Sequence, residues 1–406
     1  MKTSSFLFAY DLVDEGYDAV LDNLADRAGI TGITMAAAYH HGRDVFPHSP
    51  VRKVRFLEGG AVYFRPTADR YDGITPVASE LTEREDVLAT AADRAGRRSM
   101  STHAWTVYCH NTRLGSDHPQ YTIHNAFGDP YLSDLCPSRP EVRAYARNLT
   151  ADIAERGIDT IVGESLHFGL FQHGHHHERY FIDFGAVAYY LFGLCFCEHC
   201  LAAAAAGDCD GERVRQHVIE QLGLIFEGGP PLHADELIES ELRAMAGGEL
   251  GRYLDARAAT VTSLVDEVAG VANERGVRFE FVDPSGAMKG YATGRPSGPP
   301  ASESAWMFGT DIAAIGQRTD LMALAYAADP GRVRFDLAAY AGMLGPDARL
   351  TAGLRPMVPD CDSAENLASK LTTAADAGVS RCDFYHYGFM PLSVLDRIRA
   401  AIDQAS

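Results

Sequence analysis

Residues 163–180 read "GESLHFGLFQHGHHHERY", with four histidines, His173, His175, His176 and His177, broken only by Gly174. Glu164 opens the same stretch, and "CFCEHC" follows at 195–200. These residue types support two chemistries, metal ligation and proton transfer. An internal cluster interrupted by glycine is not a purification tag. Three consecutive imidazoles cannot all face one ion on a regular strand or helix. His173 and His177 are spaced i, i+4, which needs a helix that Gly174 disfavours. The histidines therefore read first as a polar loop touching substrate, with a catalytic metal as the alternative.

The cysteines carry a sharper pattern. Cys195, Cys197 and Cys200 form C-x-C-x-x-C, and three thiolates at that spacing can wrap one tetrahedral ion. Cys136, in "LCPSRPEVRAYA", is the natural fourth ligand because it immediately precedes a helical segment. Four cysteines would close the site, so the expected cofactor is a structural zinc. Eight cysteines in 406 residues do not make a disulfide scaffold.

These residues need elements to hold them. Short apolar, β-branched runs recur at 5–12, 32–40, 100–108, 159–168, 277–285, 320–327, 350–357 and 381–390. Alanine-rich amphipathic segments such as "EVRAYARNLTADIAERG" lie between most of them, several stopping at glycine. Strand and helix alternating eight times predict an α/β fold, a (β/α)8 TIM barrel. The reading is one domain over 1–406, with insertions at about 41–98, 109–135, 169–250 and 284–319. An open doubly wound sheet is the runner-up, weakened because no glycine-rich dinucleotide fingerprint follows the first strand.

In such a barrel the chemistry sits at the C-terminal strand ends. Those ends carry Tyr10 and Asp11; Tyr39, His40 and His41; His103, Trp105, His110 and Asn111; Glu164 and His167; Asp283; Tyr326 and Asp329; Arg355; and Tyr385, His386 and Tyr387. Aromatic faces, imidazoles, a carboxylate and an arginine on one rim suit a sugar. Asp11, His40, His103, Asn111, His173, Tyr326, Arg355, His386 and Tyr387 are the expected substrate contacts. Glu164 is the expected catalyst. It lies in the apolar run "TIVGESLHF", where burial would raise its pKa and make it a general acid near neutral pH.

A "CP-S-P" cysteine before a helix, a strand ending in Glu, then C-x-C-x-x-C resembles the bacterial β-galactosidases of glycoside hydrolase family forty-two. The matching region covers about residues 130–200. The resemblance implies a structural zinc on Cys136, Cys195, Cys197 and Cys200, and an acid/base role for Glu164. Gly163 stands where that family has Asn before its acid/base. Strand seven, "LTAGLRPMVPD", offers Arg355 and Asp360 instead of a nucleophilic Glu. A second carboxylate must then come from elsewhere, and Asp283 is the expected one, with Asp11 and Asp329 behind it.

The net charge of −19, from 55 acidic and 36 basic residues, argues against a nucleic-acid partner. No run of about 18 apolar residues exists, so no membrane span is expected. The N-terminal apolar run is too short for a signal peptide, and a cytoplasmic protein is the simplest reading. A homo-oligomer stays open, since nothing in the sequence sets the number of subunits. The leading expectation is a carbohydrate-active hydrolase taking a small carbohydrate or glycoside. Its rivals are a metal-dependent hydrolase or lyase using His173, His175 or His177 with Glu164, and a sugar-binding barrel without catalysis.

Overall fold

The computed structural model describes residues 1–172, 178–232 and 237–405. The histidines at 173 and 175–177 therefore lie outside the described residues. Eight parallel strands close on themselves: β1 (Lys2–Leu7), β2 (Gly32–Tyr39), β3 (Ser101–Val107), β4 (Thr160–Glu164), β5 (Arg278–Asp283), β6 (Asp320–Leu324), β7 (Leu350–Leu354) and β8 (Arg381–Phe384). β1 pairs with both β2 and β8, which completes a (β/α)8 barrel. Both faces of these strands are buried, so they read as near-continuous apolar runs rather than alternating ones.

An outer layer of helices follows the strands in order: α1 (Tyr17–Asp22), α2 (Val87–Arg97), α3 (Pro140–Ala154), α4 (Glu249–Asn273), α5 (Ile312–Gly316), α6 (Pro330–Ala341), α7 (Ala364–Asp376) and α8 (Ser393–Ala405). Three connections on the C-terminal side are elaborated. After β2 comes the hairpin Arg43–Val45/Val54–Phe56, and after β3 the antiparallel pair Thr122–His124/Pro130–Leu135. After β4, four short helices gather around an apolar cluster that includes Leu191, Val218, Leu222 and Leu254. Among the described residues no helix is long and apolar enough to cross a membrane.

Three strands end four or more residues earlier than the sequence suggests. β1 stops at Leu7, and residues Ala9–Glu15 form a helix instead of continuing to 12. The Asp11 carboxylate causes this, accepting the Phe8 amide at 2.8 Å and capping the new helix. β4 stops at Glu164, and β8 at Phe384, before a short turn at Tyr387–Phe389.

Inside the barrel, alternate residues point to the axis. The lower layer is polar. Arg381 donates to Glu280 and to Asp383, both at 2.6 Å. Thr351 donates to Glu280, Thr34 donates to Asp383, and the Ser4 and Thr34 hydroxyls lie 2.7 Å apart. All of these side chains are buried. Removing one member of a buried ionic group strands its partners, at about 3–5 kcal/mol. Arg381→Met should therefore lower the unfolding free energy by about that amount, read from the midpoint of a urea transition. A loss under about 1 kcal/mol would mean that solvent, not Arg381, satisfies Glu280 and Asp383.

Candidate active site at the mouth of the barrel

Above the polar layer the interior turns aromatic. Strand alternation brings Phe6 from β1, Trp105 from β3 and Tyr385 from just beyond β8 together, with Phe6 ring centroids 5.0 Å from Trp105 and 5.5 Å from Tyr385. Phe8 stacks on Trp105 at 5.8 Å, and Tyr39 meets Trp105 edge-on at 4.6 Å. The register Val162↔Trp105 and Glu164↔Val107 sets Glu164 at the lip of β4, just above the indole. Trp105 Nε1 donates to Glu164 Oε2 at 2.5 Å.

Burial pushes the Glu164 carboxyl above its ordinary value, and the Trp105 donor and the nearby His110 only partly offset it. Three phenols, the buried Tyr326 and the partly buried Tyr39 and Tyr385, lie within reach of its charge. Burial raises all three first, so they stay protonated and can donate. His110 adds a second titratable group. Burial pulls its imidazole down, but Asp134, 3.4 Å away, and Glu164 outweigh that and the net direction is up. Gly169 lets Asp134 come close, since a Cβ there would stand 2.3 Å from Asp134 Oδ1. His40 bridges the rim, stacked on Tyr39 at 4.3 Å and 4.6 Å from the His110 ring. A raised carboxyl among rings and phenolic donors can protonate a leaving oxygen while gripping a polyhydroxyl ligand.

Of the expected contacts, Tyr326 and His40 join Glu164 here. Arg355 does not face the mouth freely. Asp360 holds its guanidinium from two sides at 2.7 Å, the carbonyls of Tyr291 and Gly290 take further N–H groups, and the cation lies over the Tyr326 ring. His103 sits lower, buried in the polar layer, where burial first and then the Arg381 charge lower its pKa. Asn111 caps the helix Thr112–Asp117 by accepting the Leu114 amide. Asp11 is buried in its cap. His386 is packed between Phe8 and Phe389, each ring 4.4 Å away, and Tyr387 is bonded to Glu15 and Asn23. Asp329 caps α6 at Gly331.

The expectation that Asp283 faces Glu164 is corrected by strand parity. Glu280 points into the barrel, toward Thr351 and Arg381, so Asp283, three residues on, points out. There it is fully buried and accepts hydrogen bonds from Tyr340 of α6 and from Ser285 at 3.0 Å. Burial lifts it to about 6, but it has no path to the mouth. Asp134, absent from the expected site, comes from the connection after β3 rather than from a strand end.

The four cysteines of the metal expectation converge. Their Sγ atoms all lie within 4.8 Å of one another, and Cys136 Sγ is 3.7, 3.7 and 3.5 Å from those of Cys195, Cys197 and Cys200. All four are buried and none is in a disulfide.

No family model and no curated protein matches this sequence. Solved structures do match its fold. The catalytic domain of β-amylase from Paenibacillus polymyxa aligns with a TM-score of 0.56 at 11% identity, over 100% of this chain and 98% of that one. A β-galactosidase from the psychrophilic Marinomonas ef1 gives 0.56 and 11% over 100% of this chain, which spans 59% of that protein. The glycoside hydrolase domain of PgaB (BpsB) from Bordetella bronchiseptica gives 0.52 and 15%, over 96% and 95%. The chain thus shares the TIM-barrel fold of these glycoside hydrolases.

Trp105 stabilises the ionised form of Glu164, so Trp105→Phe should raise the Glu164 pKa further. A hydrogen bond to a charged group is worth about 1.5–3 kcal/mol, or roughly 1–2 pH units. Carbon-13 NMR titration of glutamate-labelled protein checks this. A carboxyl that titrates at the wild-type pH would show that the indole does not govern it.

Proposed function

We propose that this protein is a carbohydrate-active enzyme that hydrolyses a glycoside, with Glu164 as its general acid/base. One observation carries the reading: a single carboxyl at the lip of β4, lifted by burial and walled by Trp105 and three protonated phenols. Such a carboxyl keeps its proton to a higher pH than a solvated glutamate and can pass it to a glycosidic oxygen. Tyr39, Tyr326 and Tyr385 offer donors to ligand hydroxyls, and Trp105 and the His40–Tyr39 stack offer faces for sugar rings. The fold shared with glycoside hydrolases is consistent with this reading and does not by itself carry it.

Glu164→Gln keeps the shape and the Trp105 contact but has no proton to give. Turnover of glycosides with poor leaving groups should fall by about 10²–10⁴, whereas an aryl glycoside with an acidic leaving group should lose far less. Because the acid must be protonated, activity should fall as pH rises through the Glu164 pKa, and this alkaline limb should vanish in the variant. Unchanged turnover and an unchanged pH profile would remove Glu164 from the mechanism.

We infer that the cysteines hold a structural zinc. Four ligands at about 2.3 Å around a tetrahedral ion stand about 3.8 Å apart, and the sulfur separations at Cys136, 3.5–3.7 Å, fit that figure. The His124 amide donates to Cys195 Sγ at 3.4 Å, and Ser138 Oγ lies 3.1 Å from Cys200 Sγ, the donors that negative sulfurs need. Purified protein should carry about one zinc per chain. Cys197→Ser should lower metal content and melting temperature together. Metal-free protein of equal stability would overturn the assignment.

A further inference from the structure

One imidazole ties the hairpin Arg43–Val45/Val54–Phe56 to two other connections on the C-terminal side of the barrel. His48 lies in the loop of that hairpin, and its side chain is 7% exposed. Nε2 lies 2.9 Å from the carbonyl oxygen of Tyr387, in the turn after β8. Nδ1 lies 2.9 Å from Glu15 Oε1, at the end of the helix Ala9–Glu15 that follows β1, an ion contact rather than an aligned hydrogen bond. Glu15 Oε2 accepts from the Tyr387 hydroxyl at 2.9 Å, and that hydroxyl accepts from Asn23 at 3.0 Å. A carbonyl oxygen only accepts, so Nε2 carries a proton. An ionised carboxylate also only accepts, so a lone pair on Nδ1 would oppose Oε1. Both nitrogens hold protons in this arrangement, and the ring is an imidazolium.

The charges around the ring make that second proton decisive. The helix Ala9–Glu15 carries Asp11, Asp14 and Glu15. Asp14 is answered by Arg55 of the hairpin and lies 3.4 Å from the Ser49 hydroxyl. Glu15 is answered by His48. Asp11 is fully buried, and its Oδ1, beside Gly388, has no hydrogen-bond donor among the described residues. Lys53 spends its ammonium inside the hairpin, on the carbonyls of Pro47 and Ser49 at 2.9 Å. His386, in the β8 turn, is no substitute cation, because burial first and then the His48 charge lower its pKa well below the ordinary range. Burial pulls His48 itself down, but Glu15, the Tyr387 carbonyl and Asp11 outweigh that and the net direction is up. Arg55 stays charged at every working pH, so His48 is the one cation of this contact that titrates.

We propose that His48 is a pH-sensitive latch, which as an imidazolium docks the hairpin onto the helix Ala9–Glu15 and the turn after β8, and as a neutral ring lets the hairpin lift from the mouth. A neutral ring has one N–H. It can keep Tyr387 or Glu15 and sets a lone pair against the other. A histidine whose folded pKa is raised contributes its full stability below about 6.5 and loses it as pH rises through the folded value. Asp11 acts in the same direction. Burial lifts its carboxyl to about 7, with the Phe8 amide and His48 opposing the rise and Glu15 and Asp14 adding to it, so it gains its charge as the latch loses its own. The hairpin then hangs on Arg55 and on Phe46, whose ring lies 5.6 Å from Phe389 of the same turn. That turn follows Tyr385, so the wall of the mouth loosens with it. The device does not depend on which reaction the mouth performs.

The test uses full-length wild type, His48→Gln and Glu15→Gln between pH 5.5 and 9. Proton NMR follows the His48 ring, assigned by its loss in His48→Gln. Hydrogen exchange follows the peptide 43–57, each rate divided by its intrinsic rate at that pH. In wild type the ring should titrate above its ordinary value, and the corrected exchange should rise by about 10–100-fold through the same pH, while peptides from α6 and α7 stay unchanged. His48→Gln should exchange at pH 6 about as fast as wild type does at pH 9. Glu15→Gln should move the titration and the exchange step together to lower pH. Wild-type exchange that stays flat while His48 titrates overturns the latch, as does a ring already neutral at pH 5.5. An undiminished step in His48→Gln also overturns it and gives the pH response to Asp11. If His48→Gln does not fold, Glu15→Gln decides: an exchange step left at the wild-type pH refutes the proposal.

Discussion

The barrel depends on one guanidinium. Arg381 answers two carboxylates at once, Glu280 across the lumen and Asp383 on its own strand. Those carboxylates also take hydroxyls from Thr351 and Thr34, and Ser4 completes the chain. Side chains from β1, β2, β5, β7 and β8 are thereby tied at one level. A buried ionic cluster is tolerated only when every member is satisfied, so it admits a single register. Slipping any of those strands by one residue would turn its inward residues out. The polar plug thus decides which side chains stand above it.

What stands above is a floor of rings. Phe6, Phe8, Trp105 and Tyr385 separate the plug from the lip. Charges below are already paired, so the Glu164 proton answers to local groups: burial, the indole N–H and His110. Those influences oppose one another, as the proposed acid/base role would require of a carboxyl that is protonated at one step and ionised at the next. Asp134 acts at one remove, since it raises the His110 pKa and His110 in turn favours the ionised form of Glu164.

Much of this is readable from sequence, and the division has a physical cause. Eight apolar runs with glycine-stopped helices between them point to a parallel sheet buried on both faces, and eight such units favour closing it into a barrel. Glu164 stands out because a carboxyl inside "TIVGESLHF" must be either paired or used, and the cysteines stand out by spacing alone. Orientation is what the sequence hides. Asp283 and Glu164 look alike as strand-end carboxylates, but period-two alternation sends one to α6 and the other to the lumen. Asp11 reads as a strand end because nothing local reveals that its carboxylate folds back on Phe8. Arg355 reads as a free cation because Asp360, five residues on, becomes its partner only after a turn.

The cysteine cluster and the acid, treated separately by sequence, belong to one construction. The Glu164 carbonyl accepts the Tyr108 amide at 3.0 Å, and Cys109 donates to the next carbonyl, Ser165, at 3.0 Å. The Cys109 carbonyl in turn accepts the Leu135 amide at 2.8 Å, one residue before Cys136. The strand Pro130–Leu135 also carries Asp134, the partner of His110. A metal clamp at Cys136, if the proposed zinc is bound, would fix the strand whose Asp134 raises the His110 pKa beside Glu164. The same clamp would shorten the long connection between β4 and α4. Chain entropy rewards this only weakly, about 0.6 kcal/mol per doubling of a loop. On the proposed reading, positional control of Glu164 would be the larger consequence of placing four thiols there.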